Sequence, residues 1–317
     1  MQVSEPIVLI FSIIAGLTLG AYGYTFQESG VAIITLSLIL MLYGVMLEIP
    51  FKRILTASKN RMFISLSIAV NFLFVPLFAW WLSQRFVSDP ALLLGLMMYL
   101  VMPCTDWFLT FTNSAKGDVA LGTVLVPINL ALQIILLPVY LLIFLGSTVT
   151  MNPGLFSTTL LLFLLIPLSL AAISRRWGRT SVNRIISNAQ GVFLGVVVAV
   201  MFASQGGLFL EKLDRILVIL IPIIVFFLCM YILSNLLQKL LKLENKKAVL
   251  LNFTTSARNS PIALAIALGA FPSIPLAAAV IAIAPIIEIP ILAIQARILR
   301  RKSLVSSVQK SASGRSD

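Results

Sequence analysis

Hydrophobic positions in this chain do not alternate with polar ones. They come in unbroken runs separated by short polar stretches. About 20 apolar residues in a helix span a bilayer core. Ten such runs lie near 6–25, 31–49, 62–83, 91–113, 119–146, 155–174, 189–209, 216–238, 248–270 and 274–298. The pattern predicts an all-α polytopic membrane protein with ten transmembrane helices. The last stretch, 303–317, "SLVSSVQKSASGRSD", is polar and rich in small residues and predicts a disordered tail.

The runs repeat. Midpoints of the second five follow those of the first five by 149 to 159 residues. Five spans per half is an odd number, so the halves must lie in opposite orientations. This predicts two inverted repeats, 1–150 (spans one to five) and 151–302 (spans six to ten), an arrangement typical of secondary transporters.

Two runs are interrupted by polar residues in equivalent places. In the fourth, "VMPCTDWFLTFTNSAKGD" (101–118), Pro103 removes a backbone hydrogen bond, and Thr105 and Asp106 follow as N-cap residues for a restarted helix. In the ninth, "FTTSARNSPIALAIA" (253–267), Asn259 or Ser260 at a cap with Pro261 at the first helical position is a helix-start signal. Paired broken helices point to a binding site near the bilayer midplane, onto which each restarted helix turns its positive end.

Charge supports the same topology. Only 11% of the residues are charged, 60% are hydrophobic, mean hydropathy is +1.06 and net charge is +12. With the N-terminus inside, nineteen of the 23 basic residues fall in inner loops or the tail, and Arg85, Lys212 and Arg215 fall outside. The positive-inside rule then puts both termini in the cytoplasm, in a plasma (inner) membrane setting. The basic residues occur in short runs without aromatic interleaving, so no nucleic-acid partner is expected. "MQVSEPIVLIF" lacks a basic leader and cleavage site, so the first run is expected to stay in the protein.

Candidate chemistry is sparse. There is no histidine, and the two cysteines belong to no ligand cluster, so no cofactor and no metal-ion site is expected. An intramembrane enzyme would need a nucleophile beside a base, and no such pair is evident. The expectation is a non-enzyme that moves a small inorganic or organic solute. An ionisable residue inside a span costs about 2.5–3.5 kcal/mol, so Asp106 and Arg258 either pair where the broken helices meet or one of them snorkels to the interface. Glu288, in "APIIEIPILA", is either a proton carrier or a satisfied hydrogen-bond partner. Cys229 reads as a small apolar residue. Cys104 adjoins a helix break, where a thiolate is a soft ligand, so soft, thiophilic species are the expected cargo.

These residues carry a resemblance. "PCTDWFLTFTNSAKGD" and "APIIEIPILA" resemble the fourth and tenth spans of the arsenite efflux permeases, a branch of the bile acid:sodium symporter superfamily. The resemblance implies a core carrying discontinuous crossing helices 4 and 9, and a panel that moves against it. It further implies export of arsenite, sometimes antimonite, by proton antiport, with Cys104 as the metalloid-binding thiol and Glu288 as a proton or substrate residue. Sodium-coupled relatives keep a glutamate and a glutamine in the ninth span and Ser-Asn in the fourth. Thr254, Arg258, Phe108 and Leu109 stand at the matching positions here. Sodium coupling is therefore expected to be lost, with the Arg258 guanidinium standing in for the cation. The permeases read Asn-Asn-Phe-Glu where this chain has Arg258, Asn259, Ser260 and Pro261. The divergence leaves open a carrier of a small organic anion. The translocation residues expected are Cys104, Thr105, Asp106, Arg258, Asn259, Ser260 and Glu288.

If Asp106 and Arg258 pair, removing one should destabilise the protein more than removing both, because a lone buried charge is the expensive state. Thermal unfolding of Asp106→Asn, Arg258→Met and the double variant tests this, and equal losses in all three would refute the pair.

Overall fold

The computed structural model describes residues 4–22, 28–49, 60–105, 107–146, 152–176 and 181–313. Its regular elements are helical throughout. They run α1 (Ser4–Ala21), α2 (Glu28–Glu48), α3 (Arg61–Ala69), α4 (Val75–Phe86), α5 (Pro90–Val101), α6 (Trp107–Ser114), α7 (Val119–Leu145) and α8 (Pro153–Leu160). The order continues with α9 (Ile166–Arg176), α10 (Ser181–Asn188), α11 (Gln190–Glu211), α12 (Leu213–Val218), α13 (Leu220–Leu240), α14 (Asn245–Ser256), α15 (Ser260–Ala270) and α16 (Pro275–Ser313). A π turn at Val70–Phe74 joins α3 to α4, and another at Leu161–Leu165 joins α8 to α9. Backbone in hydrocarbon has no water to bond, so each run satisfies itself as helix.

Among the described residues, seven helical stretches are long and apolar enough to cross a membrane: Ser29–Glu48, Arg61–Phe86, Val119–Leu145, Pro153–Arg176, Gln190–Glu211, Leu213–Leu240 and Pro275–Lys302. The first run is α1, apolar from Ile7 to Ala21. Two of the ten runs read from the sequence behave differently. The fourth divides into α5 and α6 and the ninth into α14 and α15, at the two places where Pro103 and Arg258 leave the helical path.

Helix starts follow from short polar caps. Asp89 Oδ1 accepts from the N–H groups of Ala91 and Leu92 at 2.9 and 3.4 Å, with Pro90 opening α5. Asn152 does the same before Pro153 at α8. The Gly-Asp pair that ends the fourth-span motif has a structural role. Asp118 caps α7 by accepting from Leu121 N at 2.9 Å, and a Cβ on Gly117 would meet Thr112 Cγ2 at 2.6 Å.

The helices pack in two groups that meet where α8 lies on α15 and α1 lies on α16. Helix α11 packs on α1 and α2, and α2 packs on α9 and α10. Around the two breaks, α16 packs on α5, α13 and α15, while α14 packs on α6 and α13. The α1–α11 contact brings backbones together. Gly16 and Gly20 lie against the carbonyls of Ala199 and Ala203, where an added Cβ would come within 2.4 and 2.7 Å of the oxygens. Small residues four apart on both helices are the usual device for close association in lipid. Phe11, Val31, Leu73 and Ile143 point outward and are at least two-thirds exposed, which suits a hydrocarbon surround.

Helices α5 and α16 pack closely at Gly95, whose added Cβ would fall 2.5 Å from the Ala277 carbonyl oxygen. Backbone cannot step aside as a flexible side chain would. Gly95→Val should therefore cost about 1–3 kcal/mol or more, as overpacked cores do. Thermal unfolding in detergent should show a clear fall in midpoint, whereas Gly207→Val, with open space around its Cβ, should leave it unchanged.

Candidate functional site

The two interrupted segments pair with each other. Pro103 and Arg258 face one another in an isolated antiparallel bridge. Cys104 N donates to Ala257 O at 3.0 Å and Asn259 N donates to Met102 O at 2.9 Å. These bonds flank the Pro103–Arg258 position, where antiparallel pairing needs no N–H. Proline, which has none, fits there without leaving an orphan. Extended backbone is thus satisfied deep within the protein, the condition for its survival among membrane helices.

Arg258 is fully buried and organises what surrounds it. Its NH1 donates to Leu100 O at 2.9 Å, its Nε to Ser256 O at 3.0 Å and its NH2 to Thr255 O. These carbonyls belong to the last turns of α5 and α14, where helices carry partial negative charge and unpaired acceptors. One fixed cation therefore closes two helix ends. NH2 also reaches Asn71 Oδ1 at 3.4 Å, and the guanidinium carbon lies 5.2 Å from the centre of the Phe226 ring.

The backbone of the same residue holds Glu288. Arg258 N donates to Glu288 Oε1 at 2.8 Å, and Tyr99 OH donates to Glu288 Oε2 at 2.6 Å. Both side chains are fully buried. The carboxyl group thus joins α5, the ninth-span break and α16. On the other side of the crossing, Asn259 Nδ2 donates to Thr105 Oγ1 at 3.1 Å, while Asn259 Oδ1 caps α15 through Ile262 N at 3.3 Å. Cys104 is 1% exposed, and its backbone bond to Ala257 O holds it beside Arg258 in the crossing.

Of the seven residues read from the sequence, Cys104, Thr105, Arg258, Asn259, Ser260 and Glu288 lie at or beside this crossing, all buried. Asp106 and its pairing with Arg258 lie outside the described residues. The α15 cap is Asn259, with Pro261 in the first turn after Ser260. Sequence reasoning missed Tyr99, Asn71 and Phe226. Asn71 carried a signal, a lone carboxamide in the run "SIAVNFLFVPLF" (67–78); Tyr99 and Phe226 carried none.

A cavity of about 520 Å³ lies between α2, the α8 segment and α11 on one side and the adjoining ends of α15 and α16 on the other. Thr35, Thr158, Thr159, Ser204 and Gln205 supply its polar groups, and Phe163 and Phe271 contribute aromatic wall. None of the six described candidate residues lines it.

Residues 35–212 match the model of the Sodium Bile acid symporter family. Over 315 aligned residues the chain is 25% identical to the arsenical-resistance protein Acr3 of Corynebacterium glutamicum, covering 90% of this chain and 85% of that protein. It is also 25% identical over 232 residues to the uncharacterized protein YbaS of Bacillus subtilis, covering 72% and 76% respectively.

Arg258→Met should leave the carbonyls of Leu100, Thr255 and Ser256 unpaired in a buried site. Breaking a buried charged network costs about 3–5 kcal/mol, so this variant should unfold far below the native protein. Arg258→Lys keeps the charge without the planar fork and should fall between the two. Thermal unfolding of both variants in detergent checks the order, and a native-like midpoint for Arg258→Met would contradict the role assigned here.

Proposed function

The chain belongs to the Sodium Bile acid symporter family, and from that premise we propose that this membrane transporter exports arsenite, and antimonite with it, by proton antiport without sodium. The observation that carries the reading is the crossing itself, where a buried thiol, a fixed cation and a doubly tethered carboxyl group meet. Likeness to the arsenical-resistance protein Acr3 over most of both chains supports the same cargo.

Arsenite at neutral pH is a neutral trihydroxide. The Cys104 thiol exchanges for one arsenic hydroxyl, forming an As–S bond and releasing water; hydrolysis of that bond returns the thiol and frees the cargo. Soft sulfur suits soft arsenic, and a single thiol keeps the bond reversible. Thr105, Asn259 and Ser260 offer polar groups around the same turn. Glu288 carries the proton, and its bond to the Arg258 backbone ties its charge state to the geometry of the crossing. The Arg258 guanidinium neutralises the helix ends permanently, in the role that a transported cation has in sodium-coupled relatives.

The architecture we infer is ten spans in two inverted five-helix repeats, with both termini cytoplasmic in the plasma membrane. The set of α1, α2, α8 to α11 forms the panel, and the remaining helices form the core. Packing supports it: α11 lies on α1 as α2 lies on α9, and α13 lies on α14 as α4 lies on α5. The chemistry is transport and not catalysis. A second reading, carriage of a small organic anion, is favoured by the cavity of about 520 Å³, which exceeds what a trihydroxide needs.

Arsenite uptake into everted membrane vesicles tests the proposal. Native protein should take up arsenite in response to an imposed proton gradient and ignore a sodium gradient. Cys104→Ser should reduce uptake to background, and Glu288→Gln should abolish its response to the proton gradient. Uptake that is undiminished in Cys104→Ser, or driven by sodium, would overturn the arsenite reading.

A further inference from the structure

Behind the crossing lies a second group of polar side chains that no part of the proposed cycle uses. Helix α7 turns Asn129, Gln133 and Tyr140 to one face, since residues four and seven apart align on a helix. Tyr140 OH donates to Phe72 O of the π turn at 2.7 Å, and Asn129 Nδ2 reaches Thr254 Oγ1 of α14 at 3.5 Å. Gln133 lies between these two anchors along α7, whose neighbours here are the π turn and α14. Asn71, also in the π turn, donates to Thr254 O at 3.1 Å and accepts from Arg258 at 3.4 Å, so it links this polar group to the guanidinium.

This polar group is unsatisfied. Gln133 is 1% exposed, and neither its Oε1 nor its Nε2 has a partner among the described residues. Asn129 Oδ1 and Ser67 Oγ, both on fully buried residues, are likewise unpartnered. Ser67 lies one helical turn before Asn71 on α3, on the same face. Buried carboxamides in membrane helices are held by partners, because each unmet group carries a full desolvation penalty. A π turn interrupts the helix beside them, and such turns recur at functional sites.

We propose that Ser67, Asn129, Gln133 and Thr254 line a binding site for a small neutral hydroxylated molecule, either water or the hydroxylated cargo itself. The chemistry selects that class. Two carboxamide oxygens need a donor, the Gln133 amide needs an acceptor, and a hydroxyl group serves both. A cation is disfavoured by the fixed charge of Arg258 one residue away, and an anion by the excess of acceptors. The site does not depend on arsenite being the cargo. Its occupant is held against Asn71 and so reaches the guanidinium through a single side chain.

The experiment uses the full chain purified in detergent, free of cargo. Gln133→Leu and Gln133→Met remove the carboxamide at similar volume. An occupied site loses hydrogen bonds, so both variants should unfold roughly 2–4 °C lower than native. An empty site loses only an orphaned polar group, so a raised midpoint would overturn the proposal. Sodium arsenite then separates the sources. A stabilising shift in native protein that is absent in Gln133→Met assigns the site to cargo; equal shifts assign it to water, and both support it. Should the variants fail to fold, water-edited solid-state NMR of native protein labelled at glutamine side chains asks the same question. Magnetisation transfer from water to the Gln133 amide supports the site, and its absence refutes it.

Discussion

The arrangement depends on one buried guanidinium. Two helices end face to face in the buried interior, and each end presents carbonyls that no N–H of its own helix can satisfy. Arg258 answers both ends at once, through Leu100 on α5 and through Thr255 and Ser256 on α14. A lysine point charge could not spread its donors over acceptors from two helices in this way. The backbone bridge between Pro103 and Arg258 then closes the remaining groups. Without the cation the helix ends would repel, and without the bridge the extended segments would be left bare.

That solution brings the chemistry together as a by-product of satisfying the backbone. Because Arg258 is held by its side chain, its own N–H is aimed at Glu288, and Tyr99 completes the grip from α5. Cys104 enters the same locus through its N–H bond to Ala257. Glu288, the bridge and the residue bearing the thiol are thus joined through the backbone of Ala257 and Arg258. The large cavity lies elsewhere, between the α2–α8–α11 side and the far ends of α15 and α16. Along α15 the break and the cavity wall are separated by about 15 Å of helix. A cargo that visits both must move between them, and a rearrangement of the two packed sets of helices would provide the path.

Much of this was legible in the sequence. Long apolar runs can only be helices in hydrocarbon, so the all-helical character followed from composition alone. The breaks at Pro103 and at Arg258 to Pro261 were visible because proline and cap residues have no place in the middle of a continuous span. Cys104, Arg258 and Glu288 stood out because polar groups are rare there. The residues that hold them were not visible. Tyr99 lies in a run of apolar neighbours and acts only through the geometry of α5 against α16. Phe226 is one of twenty phenylalanines, and nothing local marks it as the ring beneath a guanidinium.

What the sequence determined by itself was therefore the inventory: which segments are helical, where two of them break, and which few side chains must find partners. Those are consequences of local hydrophobicity and backbone chemistry, and they need no knowledge of neighbours. Only the tertiary structure decided the partners. Arg258 bonds to carbonyls, which every residue possesses and no sequence pattern distinguishes. Which carbonyls it meets is set by how α5, α14 and α16 cross. Glu288 is bound by a backbone N–H for the same reason. Interactions made by generic backbone groups are specified by distance and direction, and those exist only once the chain has folded.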